Sequence, residues 1–454
     1  PANKSALMNK LRVSSRGIEP ETIVIDGGGM LHRLYWPSNG TVNDLLDVAE
    51  KYIMKQLNES NVYLVFDRYI ENSIKSDTRD ARIGAFHRSY QLSPDRELPP
   101  KEMCLKSTKT KETLIELIAN ELSTRVKKSD IKKQLVITAK SSTPIMTYQG
   151  DVQPREDLDS NYDEADYMIP QQVNAIFKEK KQTVVKVLSN DTDVFVLLCS
   201  HFLKFNWSSL QLYMGTFGED TKMISINKSV ADNYEIIPSL TAVHAISGCD
   251  YVPMMFGIGK LKALKAAYKM HLKHIGDIAA DLDEVIKEGK QFVAECYGQK
   301  CLSSSINRAV MWKHKTDGAK KSAKPPALKS LPPTDEALEM NIKRAHFVAI
   351  MWNNCTTGCP PQIDPCEYGW NLGGDRILKP TKLPPAISIA PEDILKTTRC
   401  KCISSQCKTN KCSCTSAGLR CTHFCQCQQC ENQDESTTGL DDTDESDAEE
   451  LELC

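Results

Sequence analysis

No run of 18 apolar residues occurs in this 454-residue chain, so no stretch reads as a membrane-spanning helix. The N-terminus lacks the basic, apolar and small-residue order of a secretory leader. No fixed-period internal repeat is visible. The chain is expected to be soluble and intracellular with no membrane partner, and Pro1 in place of methionine points to a fragment or a processed start. Residues 431–454 contain no Lys or Arg but eleven acids, which leaves 48 acids against 57 bases on the rest. A basic body suits polyanionic partners, and the acidic tail 433–454 is expected to be disordered. Residues 400–430, by contrast, hold no acid at all and nine of the 18 cysteines.

Four short runs are β-branched and apolar: TIVID (22–26), NVYLVFD (61–67), KQLVITA (133–139) and TVVKVLS (183–189). Helical periodicity lies between them, as in Leu45, Val48, Ile53 and Leu57, and again in Ala165, Met168, Ile169, Val173, Ile176 and Phe177. Strands alternating with helices predict an α/β fold, a central, mostly parallel sheet with helices on both faces. The expected layout is an N-terminal extension (1–20), a catalytic-type domain (21–310) with a helical insertion (70–130), a basic Pro-rich linker (311–333) and a helix from Asp335 to about Asn353 within an irregular segment (334–398). A cysteine module (399–432) and the tail complete it.

Ligands of open sheets gather beyond the carboxyl ends of the strands, where several acids fall. Asp26 ends the first run, Asp67 the second, and Asp191 and Asp193 follow the fourth; Glu164, Asp166 and Asp250 complete a set of seven. Any single member would serve equally well as a turn residue or helix cap. Together they are tolerable in one crevice only around cations, and oxygen ligands without histidine select Mg²⁺ or Mn²⁺ over zinc. Two such ions about 4 Å apart would suit phosphodiester hydrolysis. After Asp250, in GCDYVPMMFGIGKLKALKAA, Gly257 and Gly259 allow a tight turn before a helix whose amides, with Lys260 and Lys262, would hold a phosphate.

The order IVID, VFD, E-A-D, D-T-D, GCDY and GIGK resembles the flap endonuclease family within the PIN-like nucleases, through short motifs over roughly residues 20–290. The resemblance implies a metal-dependent enzyme that cuts branched or flapped DNA. It implies that Asp26, Asp67, Glu164 and Asp166 serve one ion, and that Asp191, Asp193 and Asp250 surround the second. It also implies a helix–turn–helix duplex grip over 245–275. Glu164-Ala165-Asp166 stands where the family has Glu-x-Glu, and on a regular helix its two carboxylates point about 200° apart, which favours different ions. Lys75, Arg79, Arg82 and Arg88 are candidates for the family's phosphate-steering cations.

The nine clustered cysteines are Cys400, Cys402, Cys407, Cys412, Cys414, Cys421, Cys425, Cys427 and Cys430, an odd number that cannot pair completely as disulfides. Six terminal and three bridging thiolates would satisfy three tetrahedral Zn²⁺ ions. The net charge of such a cluster would be partly offset by Lys401, Lys408, Lys411 and Arg420. The stretch resembles the CXC domain of tesmin and TSO1-like proteins, including Gly418 and the closing CEN, which implies DNA binding. Lys411 stands where the DNA-binding relatives commonly carry tyrosine and would enter the minor groove. The alternative is a structural zinc knot or a protein-docking module. Cys355, Cys359 and Cys366 read as ordinary thiols.

Two functions emerge. One is a metal-dependent nuclease acting on branched or single-strand-containing DNA, tethered by the cysteine module and nuclear in location. The other is a DNA- or chromatin-binding protein of mobile-element origin, whose nuclease fold serves as a binding platform.

Overall fold

The computed structural model describes residues 4–16, 18–69, 89–218, 223–316, 327–374, 377–383, 400–403, 405–417, 419–421, 425–428 and 430–432. Lys75, Arg79, Arg82, Arg88, Gly418 and the acidic tail lie outside them. The chain divides into two compact units, one of Pro1–Leu302 with Glu336–Lys382, the other of Ser303–Asp335 with Leu383–Cys454.

The first unit is built on a nine-stranded sheet of order β1-β9-β8-β7-β2-β3-β4-β5-β6. Its strands are β1 (Ser14–Ser15), β2 (Thr22–Asp26), β3 (Asn61–Val65), β4 (Leu135–Thr138), β5 (Ile145–Tyr148), β6 (Asp151–Pro154), β7 (Val184–Leu188), β8 (Gln211–Gly215) and β9 (Met223–Ser225). The five central strands, β8-β7-β2-β3-β4, run parallel. Antiparallel pairs close both edges, so the parallel arrangement is confined to the middle of the sheet.

Alternation along each strand feeds two cores. β2 sends Val24 to one face and Ile23 and Ile25 to the other; β3 does the same with Tyr63 and Val65 against Val62 and Leu64. Helices Ala165–Glu179 and Thr192–Lys204 cover the first face. Helices Val42–Leu57 and Thr108–Lys127 cover the second. Helix Val42–Leu57 starts at a capping box, in which Thr41 and Asp44 satisfy each other's backbone amides. Among the described residues no helix is long and apolar enough to cross a membrane.

Three boundaries differ from the sequence reading. The described part of 1–20 is not an appendage: Leu7, Met8 and Leu11 of helix Ser5–Leu11 are buried in the main core, and β1 pairs with β9. The described part of 70–130 is not an insertion either, since helix Thr108–Lys127 buries Leu114, Ile115, Ile118, Leu122 and Val126 against the sheet as the crossover between β3 and β4. Helix Asp335–Asn353, placed by sequence in a separate segment, contributes Leu338, Ile342, Phe347 and Trp352 to the same core.

Helices Leu240–Ile246 and Lys260–Ala267 flank the glycine-containing turn. At Gly248, with φ +108°, an added Cβ would lie 2.9 Å from Met254 Cα, so only glycine fits. Gly257, with φ +74°, faces open space and is fixed by its backbone conformation instead. In the second unit, Trp312, Leu328, Leu331 and Leu419 pack against the cysteines.

Candidate functional site

Three neighbouring parallel strands, β7, β2 and β3, deliver acids to one end of the sheet, because each apolar run stops where the chain leaves the core. Asp26 ends β2 in register with Val65 of β3. Its Oδ1 accepts the Gly29 amide at 2.9 Å, capping helix Gly27–Arg33, and its Oδ2 accepts the Ser189 hydroxyl at 2.9 Å. Burial pushes its carboxyl up from the usual range and the charge of Asp67 adds to this, while the Gly29 and Ser189 bonds oppose it. Asp67, just past β3, accepts the Ala165 amide at 3.0 Å at the start of helix Ala165–Glu179. Lys111 Nζ stands 3.9 Å from Asp67 Oδ2 and lies over the Tyr69 ring at 5.4 Å.

Glu164 and Asp166 part company. Glu164, at the N-cap of helix Ala165–Glu179, is buried and accepts the Tyr251 hydroxyl. Asp166, two residues further, lies with Asp191 and Asp193: each offers a carboxylate oxygen, and the three oxygens are within 4.8 Å of one another. The resemblance grouped Asp166 with Asp26 and Asp67, whereas the structure brings it to the pair after β7.

Asp191 caps helix Thr192–Lys204 by accepting the Asp193 amide at 2.8 Å, which turns both carboxylates toward the crevice end of that helix. Asp193 is almost wholly buried. Its Oδ1 accepts His244 Nε2 at 2.8 Å and its Oδ2 accepts Lys4 Nζ at 3.2 Å. Lys4 Nζ also reaches Asp250 Oδ1 at 2.8 Å. Burial alone would raise the Asp193 carboxyl, but His244 and Lys4 together hold it well below the usual range. Burial pushes His244 down to about 4, with the charge of Lys260 adding to the effect, so at neutral pH it is a neutral donor to a charged acceptor. Lys4 is held protonated: burial works against its charge, and Asp193, Asp250 and Asp191 overcome it.

Five participants escaped the sequence reading: Lys4, Lys111, Ser189, His244 and Tyr251. Lys111 sits on the amphipathic stretch around KETLIELIANEL and Tyr251 in the GCDY motif, but nothing in either pattern signals a carboxylate partner. Lys4 is an isolated lysine near the start and carries no signal at all.

Lys260 and Lys262 also separate. Lys260, expected at a phosphate, is 2% exposed and donates to His244 O at 2.6 Å, Ser247 Oγ at 3.0 Å and Gly248 O at 2.6 Å. As the first residue of its helix it turns inward, so it is a strut joining the glycine turn to the backbone beside Asp250. Lys262 is exposed and lies 5.5 Å over the Tyr297 ring. Met254, Phe256 and Leu261 are exposed on the same turn.

In the second unit, three groups of four thiols fall within 4.8 Å: Cys400, Cys414, Cys421 and Cys425; Cys400, Cys407, Cys412 and Cys421; Cys407, Cys421, Cys427 and Cys430. The Sγ atoms of Cys400 and Cys407 are 3.7 Å apart, those of Cys400 and Cys421 3.6 Å, and those of Cys412 and Cys421 3.8 Å. A tetrahedron of sulfurs at about 2.3 Å from zinc has edges of about 3.8 Å, so the spacing fits a thiolate-bound metal. Every described cysteine is a free thiol. Asn432 of the CEN closure donates its side-chain amide to Leu419 O at 2.9 Å and to Cys421 Sγ at 3.5 Å. Lys401, Lys408, Lys411 and Arg420 are exposed around the module.

No family model matches the chain. No curated protein matches it either. Solved structures similar to it include the catalytic core of Rad2 in complex with DNA substrate, at 13% identity and a TM-score of 0.38, covering 70% of this chain and 76% of that one. Human GEN1 in complex with Holliday junction DNA is similar at 13% identity and a TM-score of 0.36, covering 78% of each chain. Flap endonuclease-1 from Methanococcus jannaschii is similar at 13% identity and a TM-score of 0.34, covering 75% of this chain and 98% of that one.

Proposed function

We propose that the chain is a metal-dependent phosphodiester hydrolase acting on branched or flapped DNA, with a zinc-bearing cysteine module as a second DNA contact and a nuclear location. The observation that carries this reading is the convergence of Asp166, Asp191 and Asp193 at the carboxyl end of the sheet, with Asp26 ending β2, Asp67 just past β3 and Asp250 joined to Asp193 through Lys4. A hard cation fits this donor set, which is all oxygen, largely shielded and rich in negative charge. Asp166, Asp191 and Asp193 would hold one Mg²⁺ or Mn²⁺, and Asp26, Asp67, Glu164 and Asp250 would serve another. Such ions, when bound, would supply activation of a water and stabilisation of the leaving oxygen.

The chain's own groups prepare the rest. His244 fixes the Asp193 carboxylate, Ser189 and Gly29 fix Asp26, and the Ala165 amide fixes Asp67. Lys111 adds positive charge on the Asp67 side, suited to a phosphate. The turn at Gly257 and Gly259 leaves open space beside the start of helix Lys260–Ala267, with Lys262 as its outward cation, a fit for a duplex backbone.

In the module, the thiol groups favour three Zn²⁺ ions, and Cys400, Cys407 and Cys421 each belong to more than one group. Cys414 and Cys425 would complete one ion, Cys427 and Cys430 another, and Cys412 the third, with Cys402 as the ninth thiolate of the module. The exposed Lys411 would enter an A·T-rich minor groove.

The test is cleavage of labelled flap, junction and duplex DNA with Mg²⁺ or Mn²⁺. Asp191→Ala with Asp193→Ala should lower the rate by more than the about 10–100-fold that loss of an outer-shell partner costs, while DNA affinity persists. DNA binding without turnover in any divalent ion would establish the binding-platform alternative, in which Lys4 stays paired with Asp193 and Asp250.

A further inference from the structure

Lys4 caps the start of helix Ser5–Leu11, whose buried Leu7, Met8 and Leu11 anchor it in the main core. Its backbone is therefore fixed while its side chain reaches across to acids 189 and 246 residues away in sequence. The ammonium sits 3.2 Å from Asp193 Oδ2 and 2.8 Å from Asp250 Oδ1. It is itself 26% exposed, so a path out to solvent exists, whereas Asp193 is 8% and Asp250 17% exposed. Asp193 thus belongs at once to the three-acid group with Asp166 and Asp191 and to the pair held by Lys4.

We infer that Lys4 is a resident cation which holds the Asp193–Asp250 side of the crevice until a divalent ion displaces it, so that the crevice fills with ions one after the other. This rests on the crevice being a divalent-cation site. Two partly buried carboxylates that close need positive charge between them, and a tethered ammonium provides a single unit without any ion from solution. A divalent ion brings twice the charge but must expel the ammonium. The flexible four-carbon stem makes that expulsion a side-chain rotation, with the helix left in place. The other oxygen of Asp193 accepts His244 Nε2.

Two consequences separate this role from a purely structural ion pair. Ion binding becomes stepwise, with the second step weaker than the carboxylates alone would give. Lys4 also becomes accessible as that second step proceeds, which a structural ion pair would not do.

The experiment uses the full zinc-loaded chain and Mn²⁺ alone. Calorimetry is run on the wild type and on Lys4→Met, and amine acylation of Lys4 in the wild type is followed by mass spectrometry along the same titration. A nearby opposite charge changes a carboxylate's proton affinity by about one to three powers of ten, so Lys4→Met should tighten the second Mn²⁺ by about tenfold or more. Acylation of wild-type Lys4 should stay low through the first equivalent and rise with the second. Superimposable isotherms, or acylation that ignores Mn²⁺, would overturn the inference while leaving the metal site intact. If Lys4→Met does not fold, the wild-type acylation profile alone decides. Absence of any Mn²⁺ binding that Asp166→Asn removes would overturn the metal-site reading itself, and this inference with it.

Discussion

Replacing Lys260 by methionine discriminates between a DNA-facing lysine and an internal strut. The ammonium is 2% exposed and has three acceptors at 2.6, 3.0 and 2.6 Å. Burial brings its pKa down to about 8 from 10.5, with Lys4 adding to the effect while the charges of Cys249 and Asp193 oppose it. A folded-state value below the unfolded one means that below pH 8 both states carry the proton and the folded state bears the full cost of the buried charge. The interval from 8 to 10.5 corresponds to about 3 kcal/mol at 1.36 kcal/mol per pH unit, a cost that disappears as pH rises through that window. Methionine removes the charge and its cost but leaves two carbonyls and a hydroxyl without this donor, at about 1–3 kcal/mol for each group left unsatisfied. Near pH 7 the two effects offset in part, and the variant should be destabilised by no more than about 6 kcal/mol. By pH 10.5 the neutral amine of the wild type still donates, so the gap between the proteins should widen by about 3 kcal/mol. Urea unfolding followed by circular dichroism at pH 7 and pH 10.5 measures it. Parallel pH dependences for the two proteins would refute the internal placement.

Other outcomes follow from the same geometry. Lys262→Ala should weaken DNA binding across sequences and reduce the slope of log affinity against log salt by about 1, whereas Lys260→Met should leave that slope unchanged; fluorescence anisotropy over a salt series reads both. Cys421 belongs to all three thiol groups, so Cys421→Ser should disrupt the whole cluster, while Cys414→Ser should retain about two of three zinc equivalents by elemental analysis.

The apolar strands were legible because β-branched runs buried on both faces have few alternative placements, and TIVID and NVYLVFD appear as β2 and β3 with Asp26 and Asp67 at or just beyond their ends. Helix Thr108–Lys127 carried its pattern openly in Leu114, Ile115, Ile118, Leu122 and Val126, but the basic and proline-containing stretch before it obscured that it covers the sheet. The direction of a side chain was not legible. Lys260 and Lys262 both follow a glycine turn, and only the packing of helix Lys260–Ala267 decides that one turns inward and the other outward. Lys4 and His244 could not be read at all, since their partnership with Asp193 exists only once segments far apart in sequence meet. The thiol groups were legible in number from the cysteine count. Their sharing of Cys400, Cys407 and Cys421 required coordinates.

The most direct measurement is anomalous diffraction from crystals of the full chain soaked in Mn²⁺. The account predicts a manganese peak within coordination distance of Asp166, Asp191 and Asp193, weakened or lost in Asp191→Asn. A map with no peak there, at Mn²⁺ concentrations that saturate binding in solution, would contradict it.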